Sequence, residues 1–247
     1  SSRKAFAAPM SGPHIDLNSS LPLTVGSFGS GQSMREIPVD EVAASCDLVE
    51  VRLDLLDGAT RKEAPWRRFG DIPLLFTARR ASEGGAGDLD AATRCQLLRE
   101  PLADASLIDL EVASIPECRE LIDELKEADI PWIGSFHDFT GVPEIARLQA
   151  ARMAARQAGA AAFKAAVELG WDTTSLPTLA GFVAESSEYP VSLMGMGPLA
   201  PTSRVMFAQL GSVLNYGYLG DTPTAPGQWS ARQLREAIDH VVKAPAG

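Results

Sequence analysis

The chain has 247 residues, 45% of them apolar, and its 22 Lys and Arg against 32 Asp and Glu leave a formal charge of −10. That usage belongs to a globular protein and excludes disorder, collagen and long coiled coil. The excess of acid argues against a partner such as nucleic acid or an anionic membrane, which needs clustered Lys and Arg. No apolar run nears the roughly 20 residues that span a bilayer, so a soluble protein is expected.

The three cysteines, Cys46, Cys95 and Cys118, form no CxxC pair, and the only histidines are His14, His137 and His240. They predict reduced thiols in a cytoplasmic protein, with neither a disulfide scaffold nor a zinc site. In chain order, residues 1–20 read as a flexible leader. Arg3 and Lys4 precede Ala5–Phe6–Ala7–Ala8, an apolar stretch too short for a signal peptide. Residues 21–247 read as one domain, since no linker-like stretch interrupts them.

Short apolar segments rich in β-branched and aromatic residues then recur as candidate strands. They are Leu21–Phe28, Asp47–Leu56, Pro73–Arg79, Ser106–Val112, Pro131–Asp138, Ala161–Val167, Val191–Met196 and Asn215–Gly220. Helical spacing lies between them, most plainly over Pro116–Ala128, Pro143–Ala158 and Ser230–Val242. Gly159 suits the C′ position of the second of these, and Ser230 the N-cap of the third. Eight strand-then-helix units at this length predict an α/β fold, a single-domain (β/α)8 TIM barrel, over a doubly wound sheet.

In a barrel, alternate strand residues point inward and neither sheet face meets bulk water. Parity therefore places Glu50, Arg52 and Asp54 inside, together with Thr77 and Arg79, Asp109 and Glu111, Ser135 and His137, and Lys164. Taken singly, a strand-end Lys reads as a snorkelling surface residue and a lone His as a satisfied core group. Convergence from five strands points instead to chemistry, because buried charges must be paired or functional. A desolvated Lys can be a neutral amine able to form a Schiff base with a ketone. A His can then move a proton at carbon, carboxylates can orient it, and inward arginines suit a substrate carboxylate.

Further along, Thr202–Ser203–Arg204 is expected to open a helix, an anion site with an Arg in its first turn. Thr224–Ala225–Pro226–Gly227–Gln228 is expected to form a mobile flap. Gly26–Ser27–Phe28–Gly29–Ser30–Gly31 is Gly-rich but lacks the GxGxxG order and a Walker lysine, so no nucleotide site is expected there.

These residues together resemble the type I 3-dehydroquinate dehydratases of the shikimate pathway, from Leu21 to about Val242. The resemblance rests on Glu50–Val51–Arg52–Leu53–Asp54, Phe76–Thr77–Ala78–Arg79 with Glu83–Gly84–Gly85, and Asp109–Leu110–Glu111. It continues through Ser135–Phe136–His137–Asp138–Phe139, Lys164, Ser203–Arg204 and Ala225–Pro226–Gly227–Gln228. The resemblance implies dehydration of 3-dehydroquinate to 3-dehydroshikimate through a covalent imine, with neither metal nor cofactor, in a homodimer. It implies Lys164 as Schiff-base nucleophile, His137 as general acid/base, and Glu111 as the group that positions His137. Arg204 would clamp the substrate carboxylate, and Ser27, Glu50, Arg52, Arg79, Thr224 and Gln228 would bind substrate and shape the pocket. Thr224 stands where the family often has Ser, so its hydroxyl is kept and a methyl added. Arg52, Arg79 and Arg204 are expected to make a locally positive pocket inside an acidic shell. The alternatives are a Schiff-base aldolase on the same barrel, which would want a Gly-rich phosphate site, and a non-catalytic barrel that binds a small acid.

Overall fold

In the computed structural model, which describes residues 12–185, 188–225 and 227–242, each predicted strand is present. They are β1 (Leu23–Phe28), β2 (Leu48–Arg52), β3 (Leu74–Thr77), β4 (Leu107–Glu111), β5 (Trp132–Asp138), β6 (Ala162–Glu168), β7 (Val191–Met196) and β8 (Leu214–Tyr218). All neighbours pair in parallel, in the order β7-β6-β5-β4-β3-β2-β1-β8. The barrel closes between β7 and β8 without a full ladder. There Val213 N–H donates to Val191 O at 3.0 Å, Ser212 Oγ accepts from Leu193 N–H at 3.0 Å, and the Ser192 hydroxyl donates to Leu214 O.

The intervening helices are α1 (Gly31–Glu36), α2 (Val39–Ser45), α3 (Gly58–Glu63), α4 (Ala91–Arg99), α5 (Arg119–Glu127), α6 (Ile145–Gln157), α7 (Leu176–Ala184), α8 (Ala200–Gln209) and α9 (Ala231–Val242). Asp57 and Asp90 cap α3 and α4 by accepting from Thr60 and Thr93 N–H. Gly159 takes φ +93° just beyond α6, as its place in the sequence predicts. None of the described helices is long and apolar enough to cross a membrane.

Strand parity divides the apolar residues into two layers. Val49, Val51, Phe76, Ile108, Phe163 and Leu193 face the helices in the main core. Val25, Leu48, Leu75, Leu107, Ile133 and Ala162 fill the amino end of the barrel interior, a dry floor beneath the site.

Three expectations change here. The leader boundary at residue 20 falls inside packed structure, because Leu17 is buried in that floor and Gly12 N–H donates to Ala105 O at 2.9 Å. An apolar side chain at the open end of a barrel gains by covering it. Residues 1–11 lie outside the described part of the chain. Second, Cys95 and Cys118 are joined as a disulfide, their Cα atoms 6.4 Å apart, so only Cys46 is a free thiol. Packing of α4 beside the segment before α5 brings together two cysteines that their sequence spacing does not relate. Third, α8 begins at Ala200, two residues before the expected start, because Pro201 is tolerated in a first helical turn. Arg204 therefore sits inside the helix and reaches the site from its side, not from its N-terminus.

Candidate active site

Immediately above the floor the barrel interior turns polar. Glu50 accepts from Ser27 Oγ at 2.7 Å through one oxygen and from Thr77 Oγ1 at 2.9 Å through the other. Across the barrel, Asp109 accepts from Ser135 Oγ at 2.5 Å and from Lys164 Nζ at 3.0 Å. Register explains the grouping: Ser27 lies opposite Glu50, and Ser135 opposite Lys164. The Ser27, Thr77 and Ser135 hydroxyls thus each have a carboxylate acceptor, which satisfies groups that a buried interior would otherwise penalise.

Lys164 is 4% exposed. Burial and the Arg79 charge push its amine pKa down, against the opposing pull of Asp109 and Glu50. The aromatic face of Tyr216 on β8 covers the amine, with Nζ 4.1 Å from the ring centroid. Asp109 is also buried, yet Arg79 and Lys164 hold its carboxyl far below the usual range despite the desolvation.

One layer higher stand the arginines, each accounted for differently. Arg79 donates through Nη1 to Asp109, Glu111 and Ser135, at 2.8, 3.0 and 2.7 Å, and through Nη2 to Asp109 at 2.9 Å. Arg52 forms a two-point pair with Asp54, at 2.9 and 2.8 Å, and donates to Gly84 O. Arg204 donates only to main-chain carbonyls, Gly195 O at 3.2 Å and Tyr216 O at 2.7 Å, and has no carboxylate partner among the described residues. Burial alone lowers its pKa to about 10. The expectation of a generally positive pocket therefore narrows to Arg204: Arg52 and Arg79 are neutralised by their own acids, and of the three Arg204 alone has no carboxylate partner among the described residues.

His137, opposite Ala166 on β6, lines the same pocket. Its Nδ1 is buried with no hydrogen-bond partner among the described residues, and burial plus the Arg79 and Lys164 charges push its pKa well below the usual value, favouring the neutral ring. No hydrogen bond joins it to Glu111 among the described residues. The Glu111 oxygens accept from Arg79 Nη1, Arg80 N–H and the Ser114 hydroxyl. The carboxyl beside His137 is Glu83, whose Oε1 accepts the His137 main-chain N–H at 3.3 Å and whose Oε2 is buried and free. Burial and the nearby Glu111 charge raise the Glu83 pKa to about 7.

Ser27, Glu50, Arg52, Arg79, His137, Lys164, Arg204, Thr224 and Gln228 thus line one pocket at the carboxyl end of the barrel. Glu111 stands behind Arg79, outside that lining. The flap is organised by Thr224, whose N–H and hydroxyl both donate to Gln228 Oε1, at 2.8 and 3.0 Å. The added methyl of Thr224 lies over Gly29, where a Cβ would come within 3.0 Å of it. Pro226 of the flap motif lies outside the described residues.

Four residues with evident parts to play had been given no role from the sequence. Strand parity had marked Asp109 as inward but not as the partner of Lys164. Asp54 lies in the turn after β2, where it also accepts Arg79 and Ala86 N–H at 3.2 and 3.0 Å and pins the loop carrying Glu83. Glu83 sits in that loop, where no periodicity applies. Tyr216 reads in sequence as an ordinary strand aromatic, and only its free buried hydroxyl distinguishes it.

A buried lysine held between a carboxylate and an aromatic ring, in the carboxyl-end pocket of a (β/α)8 barrel, defines an enzyme built around an amine. The sequence profile of the type I 3-dehydroquinase family matches residues 30–243. The chain is 32% identical over 228 residues to a 3-dehydroquinate dehydratase of Methanothrix thermoacetophila, covering 91% of this chain and 95% of that one. It is 33% identical over 211 residues to that of Enterococcus faecalis, covering 78% and 81%. A solved Enterococcus faecalis 3-dehydroquinate dehydratase superposes with a TM-score of 0.75 at 26% identity, over 91% of this chain and 96% of that one. That of Geobacillus kaustophilus gives a TM-score of 0.80 at 22% identity, over 96% and 100%, a likeness of fold. The chain belongs to the type I 3-dehydroquinase family and is a hydro-lyase.

Proposed function

We propose that the chain dehydrates 3-dehydroquinate through an imine on Lys164, with His137 as the proton carrier. The observation that carries this reading is the state of Lys164: buried, with a lowered pKa, and facing a pocket that also holds the neutral His137. A partly neutral amine adds to the substrate ketone and loses water to give the iminium, an electron sink for the adjacent C–H. His137 takes that proton and returns it to the departing hydroxyl, which leaves as water. A second water hydrolyses the iminium and releases 3-dehydroshikimate and the free amine.

The surrounding groups follow from the same geometry. Asp109 holds the resting amine and stays ionised throughout. Glu83 is the carboxyl able to meet His137 Nδ1, since both atoms are free and buried and their residues already touch. Arg204 binds the substrate carboxylate, which would complete its missing ion pair. Ser27, Glu50, Arg52 and Gln228 line the space left for the substrate hydroxyls, and Arg79 with Glu111 braces Asp109.

Incubation with 3-dehydroquinate tests the reading by the absorbance of the conjugated product. The wild-type chain should produce it and Lys164→Ala should not. Turnover by Lys164→Ala at the wild-type rate would remove the amine from the mechanism.

A further inference from the structure

Tyr216 is 4% exposed, its side chain lines the pocket, and its hydroxyl is buried with no hydrogen-bond partner among the described residues. The neighbouring hydroxyls differ in this respect, since Ser27 and Thr77 are matched to Glu50 and Ser135 to Asp109. An unmatched buried hydroxyl costs free energy and is retained where something else binds it. Its orientation is set from two sides. The Tyr216 carbonyl is held by Arg204 Nη1 at 2.7 Å, and the ring face lies 4.1 Å from Lys164 Nζ. Burial and the Glu50 and Asp109 charges keep the phenol protonated at any working pH, so it serves as a donor.

Tyr216 covers Nζ with its ring and lines the same pocket as Lys164, so its hydroxyl borders the space in which the substrate carbon bonded to Nζ must lie. When the amine adds to a ketone, its lone pair forms the C–N bond and the C=O π pair moves onto oxygen. A proton passes from nitrogen to that oxygen to give a carbinolamine, whose hydroxyl takes a second proton from solvent and leaves as water while the nitrogen lone pair forms C=N, giving the iminium. The oxygen concerned is two bonds from Nζ until it leaves.

We propose that Tyr216 is a substrate-binding residue whose hydroxyl donates a hydrogen bond to the oxygen on the carbon attacked by Lys164, in the ketone and in the carbinolamine. The proposal rests on the imine reading above. Tyr216 does not donate its proton; it holds the oxygen while charge develops there, and it favours substrates whose carbonyl lies over its edge.

The test uses the full chain, wild type and Tyr216→Phe, with 3-dehydroquinate and borohydride. Three quantities are followed: the rate of trapped adduct on Lys164, kcat/KM, and the melting temperature without substrate. Tyr216→Phe keeps the ring, so its melting temperature should equal or exceed that of wild type, because an unmatched buried hydroxyl has been removed. Adduct formation and kcat/KM should both fall about tenfold, the value of one hydrogen bond. Wild-type adduct rate and kcat/KM in Tyr216→Phe would overturn the proposal, and so would a variant that melts lower or fails to fold, which would make the hydroxyl structural. Absence of an adduct in the wild-type chain itself would overturn the imine reading, a result separable from any property of the variant.

Discussion

At Glu83 and Arg204 burial shifts the charge balance in opposite senses, raising the carboxyl pKa and lowering that of the guanidinium. Glu83 has its pKa raised to about 7, so between its unfolded value near 4.5 and that pH the folded chain binds more protons than the unfolded one. Stability from this group therefore falls as pH rises through that window, and the cost is complete above about pH 7. Glu83→Gln should stabilise the chain at pH 8 by up to about 3 kcal/mol and leave it unchanged at pH 4. Urea unfolding at the two pH values measures this, and an equal effect at both would show that ionisation is not the cause. Asp109 has the other sign. Its folded pKa is depressed, so its contribution is present above about pH 4 and is lost as pH falls below that value.

At the scale of elements, the weak point is the seam between β7 and β8, and Arg204 crosses it by joining Gly195 O to Tyr216 O. One side chain thus adds a tie across the seam and presents a cation with no carboxylate partner among the described residues. Arg204→Gln should raise KM for 3-dehydroquinate about 100-fold and also lower the melting temperature. Arg204→Lys should recover little of either, since an ammonium cannot span two carbonyls as a planar guanidinium does. A rise in KM with an unchanged melting temperature would show that the seam holds without it. A second tie is the Cys95–Cys118 disulfide between α4 and the segment entering α5. A loop of this length is worth about 3 kcal/mol, so reduction should lower stability by that order. Thiol counting in denaturant should give one free thiol before reduction, Cys46, and three after. Three before reduction would contradict the pairing.

For the whole molecule, the charge of −10 surrounds a pocket in which Arg52 is matched by Asp54 and Arg79 by Asp109 and Glu111. Long-range attraction of an anionic substrate is therefore expected to be weak, with the proposed pairing of its carboxylate to Arg204 acting at contact distance. KM should change less than about threefold between low and physiological salt, since screening removes only interactions beyond a Debye length of about 8 Å. A steep rise with salt would mean the field of the whole barrel contributes.

How much of this was legible in the sequence follows from where each residue sits. Parity works for Glu50, Asp109, Ser135, His137 and Lys164 because a parallel barrel buries both faces of every strand, so alternation has a single meaning. It cannot reach Glu83 or Asp54, which lie in turns without a period, and it treats Tyr216 as core. The pairing of Glu111 with Arg79 depends on how the loop after β3 folds back over β4. The disulfide depends on the packing of α4 against the start of α5. The fold was written in local pattern, whereas the assignment of partners within the site is tertiary.

The central claim is that Lys164 forms a covalent imine with the substrate. Borohydride reduction in the presence of 3-dehydroquinate, followed by peptide mapping by mass spectrometry, tests it most directly. The account predicts a reduced adduct on the peptide carrying Lys164 and on no other lysine, with product appearing in the unreduced control. Product without any adduct, or an adduct on a different lysine, would contradict it.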